Sequence, residues 1–303
     1  MLKYSIKRIL LAIVTVFIIA AITFFAMNAI PGGPFSKEKA TDPAVQAILE
    51  SRFNLDKPVY QQFFIYLNNL LHGDFGISLK TGRDITDTII ESFTVSARLG
   101  GTAAICAVVI GLVLGSIAAL CRNRWPDRAI IFLTTLFVSV PSFIMATILL
   151  LVFCLQLKWF GVWSTSNPNY LLPVISLMLY PMSYITRLTK TSMLDVLGQD
   201  YIRTARAKGV RESLVIFKHA LRNALIPVIT YVGPMTAYIL TGSMVVETVF
   251  TIGGLGTKFV SSINNQDYPM IMAVTIFLAT LMVTMTLLSD LVYKLIDPKI
   301  TFE

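Results

Sequence analysis

"LGGTAAICAVVIGLVLGSIAALC", residues 99–121, runs from Arg98 to Arg122 without an Asp, Glu, Lys or Arg. Wound as a helix, the 23 residues reach about 34 Å, enough to cross a hydrocarbon layer of about 30 Å. Further uninterrupted stretches lie between Arg8 and Lys37, Arg128 and Lys158, Lys158 and Arg187, Arg222 and Glu247, and Asp267 and Asp290. Together the six stretches predict spanning helices near 9–30, 96–120, 129–156, 170–187, 225–246 and 269–291. The expected fold is an all-α integral membrane protein with six transmembrane helices.

The composition agrees. Of 303 residues, 55% are hydrophobic and 14% charged, against roughly a quarter charged in a soluble domain. Lys3, Lys7 and Arg8 precede the first apolar run as they would in a signal peptide. That run is longer than a signal core, and no small-x-small cleavage site precedes Pro31, so the first helix is expected to remain uncleaved.

A net charge of +8 raises nucleic acid as a partner, but the distribution of charge points instead to a lipid bilayer. With the N-terminus in the cytoplasm, 16 of the 25 basic residues fall on cytoplasmic segments, eight of them within 187–222. Most of the others belong to one long loop, which translocates largely regardless of charge. Both termini are therefore expected inside. Cys106, Cys121 and Cys154 have no paired spacing, and His72 and His219 are expected on opposite sides of the membrane, so neither a disulfide framework nor a metal site is expected. No serine, histidine and acid arrangement suggests an enzyme.

Between the first two spans lies a loop long enough to carry structure of its own. Within it, Tyr60, Phe63, Phe64, Leu67, Leu70 and Leu71 recur at helical spacing after Pro58, predicting an amphipathic outer helix. Pro141, Pro173, Pro181, Pro227 and Pro234 lie in or beside the spans. Broken helices are tolerated where neighbours or a water-filled cavity satisfy the freed backbone, which leans towards transport.

The charge that the spans lack is gathered in "DYIRTARAKGVRES", residues 200–213. Arg203, Arg206 and Lys208 cannot enter hydrocarbon, so the segment projects into water. Ala205 and Gly209 stand one helical turn apart, where small residues admit another backbone. Gly209 is placed to end one short helix and turn the chain into the next, "RESLVIFKHALRNALIP". The expectation is a helix, a glycine turn and a second helix held out as a docking element; the alternative is a basic cluster that only fixes topology.

"DYIRTARAKG" and "KHALRNALIPVIT" closely resemble the wording of this loop in the peptide and nickel permeases of ATP-binding-cassette importers. "GDFGIS" at 73–78, "VSVPSF" at 138–143, "TGSMVVETVFTIGGLG" at 241–256, "DLVYKLIDPKI" at 290–300 and the opening "MLKYSIKRIL" carry the same resemblance, which is nearest to the B-type subunit of oligopeptide importers. Against the general loop signature of such permeases, Glu-Ala-Ala followed by Gly, the match is partial: Arg203, Thr204 and Ala205 occupy the Glu-Ala-Ala positions. Gly253 departs from the family, which usually has proline there.

The resemblance implies a type I importer permease fold: a cytoplasmic N-terminus and first helix over 1–30, an extracytoplasmic loop over 31–94, a permease domain over 95–292 with its coupling loop at 188–224, and a cytoplasmic tail over 293–303. It implies that Arg203, Thr204, Ala205, Arg206, Ala207, Lys208 and Gly209 couple the chain to an ATPase. The implied partners are a second permease, two cytoplasmic ATPase subunits and an extracytoplasmic peptide-binding protein in a cell membrane. ATP and Mg belong to the ATPases, and no cofactor is expected here. The implied function is import of oligopeptides, with dipeptides or nickel as the family's alternatives.

Glu247, Gly254 and Gly256 are candidates for an outer gate or substrate contact, with a solvated Glu247 as the plainer expectation. "GGLGTK" at 253–258 is no phosphate loop, because its spacing is wrong and the chain has no Gly-Lys pair. Asp290 is expected to pair with Lys294 one turn on. The competing class, an ion-coupled transporter, should carry clustered acids near the membrane midplane, whereas the six stretches are free of charge.

Overall fold

The computed structural model describes residues 2–30 and 57–296, and its regular elements are helices. In chain order they are α1 (Leu2–Ala29), α2 (Val59–Leu71), α3 (Ile85–Leu120), α4 (Trp125–Ser139), α5 (Ser142–Leu149), α6 (Leu171–Leu197), α7 (Asp200–Ala207), α8 (Glu212–Leu214), α9 (Arg222–Gly242), α10 (Met244–Val249), α11 (Leu255–Asn265) and α12 (Tyr268–Ile296). π-helical turns at Leu150–Gln156 and Val215–Leu221 extend α5 and join α8 to α9. Among the described residues, five continuous helical segments are long and apolar enough to cross a membrane, and a sixth crossing is made if the pair Trp125–Ser139 and Ser142–Gln156 counts as one span.

That pair occupies the expected span over 129–156, and it breaks at Pro141, where its halves meet at 100°. The cause is local. Pro141 has no N–H to donate, its ring excludes the carbonyl of a preceding turn, and Val140 before it is extended at φ −92°, ψ 120°. The fourth span differs in the other direction. It was expected to end at residue 187, but α6 continues to Leu197, because charge ends burial in hydrocarbon without ending a helix. Likewise α3 starts at Ile85, inside the stretch expected to be loop up to 94.

The chain forms two compact units, residues 1–95 with 254–283 and residues 96–253 with 284–303. Residues 254–283, grouped in sequence with the later spans, thus cluster with the N-terminal part. The expected loop over 31–56 and the tail from 297 lie outside the described residues, as does the side chain of Lys294.

In the first unit, α2 packs on α1 through aromatic rings. Phe63 is buried among Phe17, Phe24 and Phe25, with centroids 5.3–6.0 Å apart. The rest of the anticipated apolar stripe is less enclosed: Tyr60, Phe64 and Leu71 are exposed. The "GDFGIS" turn has a structural explanation. Buried Asp267 accepts hydrogen bonds from the Ser78 hydroxyl and from the Leu79 amide at 3.3 Å, and stands at the start of α12. Asp84 caps α3 by accepting from the Thr86 and Asp87 amides at 2.7 and 3.2 Å. Ile85, Ile89, Leu255, Met270, Ala273 and Val274 form the apolar core of this unit.

In the second unit, small residues let helices touch. Gly111 and Gly115 of α3 face α6 so closely that a Cβ at Gly115 would lie 2.6 Å from the Thr186 carbonyl oxygen, and one at Gly111 2.8 Å from Ile185 Cγ2. Ala103, Ala107 and Ala118 on α3 are fully buried. This is the small-xxx-small packing of membrane helices, where lipid supplies no hydrophobic force between helices and contact must come from close backbone approach. Buried Ser176, Ser183 and Thr186 satisfy their hydroxyls on α6 carbonyls three or four residues back, at 2.7–2.8 Å. At the far end of α6, Lys190 Nζ reaches Asp127 Oδ1 at 2.5 Å, and the other Asp127 oxygen accepts from the Asn123 amide.

Candidate functional site

The basic segment at 200–213 folds as one short helix, one turn and the start of another. Asp200 lies in the first turn of α7 and Arg206 in the last, each on the favourable end of the helix dipole. Gly209 follows at φ +76°. The Gly209 amide donates to Arg206 O at 2.9 Å, and the Val210 amide to Ala205 O at 3.2 Å. This hydrogen-bond pair is a Schellman ending, which needs a left-handed residue after the cap and favours glycine there. A Cβ on Gly209 would meet nothing within 4 Å, so conformation and not space calls for glycine.

Side-chain pairs close the turn from both flanks. Arg206 donates from Nε and Nη2 to the two Glu212 carboxylate oxygens at 3.1 and 2.6 Å. The hydrogen bond from Arg206 holds the Glu212 carboxyl below its usual range, and Glu212 in turn raises the guanidinium. Asn223 at the head of α9 donates to the Tyr201 hydroxyl at 2.9 Å. Beneath the turn, fully buried Ile202 packs with Val215 and Ala220, joined by Ala205 and Val210.

The predicted coupling residues are therefore together but do not share one face. Arg203, Thr204, Ala207, Lys208 and Gly209 are exposed, whereas Ala205 turns inward and Arg206 is held by Glu212. The small side chain of half-buried Ala205 admits the chain's own return at Val210. Arg203 makes a long contact of 3.6 Å with exposed Asp200. Ile202, Val210, Tyr201 and Glu212 were missed in the sequence. An apolar residue just after a helix-ending glycine was the available signal, since the residue there packs back on the last turn.

The base of the hairpin is fixed to the bundle: Met193 of α6 and Ala119 of α3 pack with Ala224 of α9 in one buried cluster. Ile216 and Leu221 at the root of the hairpin pack against this cluster, which joins three long helices of the unit. Among the described residues no group of three or more His, Cys, Asp or Glu could hold a metal ion, and the hairpin presents an exposed basic face on a packed base.

Glu247 is not a solvated acid, which corrects that expectation. It is fully buried in α10, where its Oε1 accepts from the Ser96 hydroxyl at 2.7 Å and the Ser243 hydroxyl at 2.5 Å. Its carbonyl accepts from the Ile252 amide at 2.8 Å, so Glu247 braces the turn that follows. Gly254 is the extended cap residue of α11, and Gly256 is buried in the first turn of that helix. They belong to a different compact unit from Glu247. Gly253 is not left-handed, and the nearest atom to an added Cβ would be Trp163 Cη2 at 3.8 Å; nothing there demands glycine.

Comparison with known proteins gives consistent matches. The family model described as binding-protein-dependent transport system inner membrane component matches residues 111–302, and the corresponding N-terminal model matches residues 1–100. The chain is 47% identical to a dipeptide transport system permease protein of Bacillus subtilis, over 99% of this chain and 98% of that one. It is 43% identical to an oligopeptide transport system permease protein of Haemophilus influenzae, over the full length of both. Among solved structures, a methionine ABC transporter in inward-facing conformations shares the fold at 15% identity and TM-score 0.56, covering 69% of this chain and 95% of that one.

Proposed function

This chain belongs to the family of binding-protein-dependent transport system inner membrane components, and from that premise we propose that it is the permease subunit of an ATP-binding-cassette importer of peptides. A second, similar permease completes the pathway, two ATPase subunits bind the hairpins of the pair, and a binding protein delivers the peptide to the opposite face. Chemistry on ATP and Mg belongs to the ATPases. The N-terminus, the 188–224 loop and the C-terminus face the cytoplasm, in keeping with the concentration of basic residues there.

The observation that carries this reading is the braced hairpin: a short helix with Arg203, Thr204, Ala207 and Lys208 exposed, closed by a left-handed glycine and rooted among α3, α6 and α9. ATP can move the permease between states only by binding them unequally, and a rigid projection joined to the bundle is where that inequality can be applied. An ion-coupled mechanism is set aside by family membership. The near-equal identities to dipeptide and oligopeptide permeases fit a pathway that accepts peptides of varied length, with selection made chiefly by the binding protein.

A photo-crosslinking residue at position 208 of the assembled, transport-competent complex tests the proposal. Capture of an ATPase subunit is expected, with a yield that changes between nucleotide-free and ATP-bound states. Failure to capture one in a complex that still transports would refute the assignment.

A further inference from the structure

The α4–α6 contact holds a cationic feature that the transport reading does not use. An open cleft of about 530 Å³ is lined by Ile131 and Thr135 of α4 and by Arg187, Lys190 and Thr191 of α6. Lys190 is neutralised by Asp127. Arg187 is not: its Nη2 donates to the Thr135 hydroxyl at 2.5 Å, its Nε is buried without a partner, and it has no carboxylate partner among the described residues. A guanidinium with spare donors facing an open cleft is matched in charge and geometry by a phosphate.

Its depth identifies the source. Arg187 closes the charge-free stretch of the fourth span, about 24 Å along the helix from Leu171, which places it near the headgroup layer when Leu171 is at the opposite interface. Next to Thr135, α4 exposes Phe132, Leu133 and Leu136, an apolar strip suited to acyl chains. Exposed Trp125 lies at the start of the same helix, the position of an interfacial aromatic anchor, and Arg122, Arg124 and Arg128 surround it in sequence. Basic pockets between spanning helices take anionic headgroups.

We propose that this cleft seats an anionic phospholipid, with its phosphate on Thr191 and on Arg187, which the Thr135 hydroxyl orients while donating its own proton to Ile131 O at 2.6 Å, and its chains along the Phe132–Leu136 strip. The site lies on this chain alone and requires only that α4 and α6 be in a membrane, so it stands or fails separately from the peptide reading.

The test uses the assembled transporter, extracted in mild detergent and offered phosphatidylglycerol or phosphatidylcholine, with retained lipid counted by native mass spectrometry. Wild type is expected to retain phosphatidylglycerol preferentially, and Arg187→Gln to lower that retention about tenfold, with Arg187→Lys intermediate. If Arg187→Gln does not assemble, Thr135→Val is expected to lower retention about threefold, and unchanged retention in it overturns the site. Equal retention by wild type and Arg187→Gln also overturns it. Two other results replace the occupant and so refute the lipid: competition by millimolar inorganic phosphate as effective as that by the lipid, or an efficient crosslink from Thr135→Cys to the second permease.

Discussion

Replacing Gly115 by alanine adds one methyl group where α3 meets α6. The new carbon would sit 2.6 Å from the Thr186 carbonyl oxygen and 2.6 Å from Thr189 Cβ, against an ordinary separation of about 3.5 Å. The helices must part locally by roughly 0.9 Å, because one obstacle is backbone and the other is the base of a β-branched side chain. Overpacking of this kind costs about 1–3 kcal/mol, offset by at most about 1 kcal/mol from the better helix propensity of alanine. Gly101, in the same helix, supplies the control: an added Cβ there meets nothing within 4 Å, so Gly101→Ala should be neutral or gain up to about 1 kcal/mol. In thermal unfolding of the purified complex in detergent, Gly115→Ala should fall below wild type by about 2–5 °C while Gly101→Ala does not. Equal midpoints for the two variants would refute the close α3–α6 packing.

Other perturbations separate the roles of the charged groups and the turn. Gly209→Val must place a β-branched residue at φ +76°, at a cost of at least about 1 kcal/mol, and should lower peptide uptake per ATP hydrolysed; Gly209→Asn, which tolerates that conformation, should stay near wild type in the same reconstituted-vesicle assay. Lys190→Met strands the Asp127 carboxylate, whose side chain is only 6% exposed, and should cost about 3 kcal/mol in thermal unfolding, most of it regained when Asp127→Asn is added. The Glu212 carboxyl is held below its ordinary value of 4.5, so its stabilising pairing is complete above that value and is lost as pH falls through the lowered one. Hydrogen exchange at Gly209 and Val210, corrected for intrinsic rate, should therefore quicken in acid in wild type and show no such step in Glu212→Gln.

Membrane spans were legible because a charge in hydrocarbon is costly wherever it stands in the chain, so a run without one is informative by itself. The same rule misplaced the end of α6: Arg187 and Lys190 continue the helix because Thr135 and Asp127 answer them, and those partners are more than fifty positions away in sequence. Pro141 announced a break but not an angle of 100°, which depends on what both halves pack against. Within the loop, Gly209 was readable from its position, since a helix-ending glycine has a stereochemical reason. Ala205 also packs on the hairpin's own core, because smallness does not say which backbone it admits. Glu247 and Ser96 are separated by 151 positions, and no local pattern announces a hydroxyl that distant. The Gly111-xxx-Gly115 spacing was in plain view, and its physical meaning in lipid is specific enough to have been read.

The π-helical turn at Val215–Leu221 stands between the braced hairpin and α9. Each ring there closes one residue later than in an α-helix, so the turn acts as a dislocation in an otherwise regular lattice, carrying one surplus residue. Removing a single residue from it would let the helix anneal to plain α geometry with the hairpin and α9 still in phase, whereas removing one from the regular helix beyond it would swing everything upstream through about 100° relative to the rest of α9. The turn is consequently a buffer for chain length: a change of one residue can be taken up there without rotating the loop about the bundle, which the regular helix on either side does not allow.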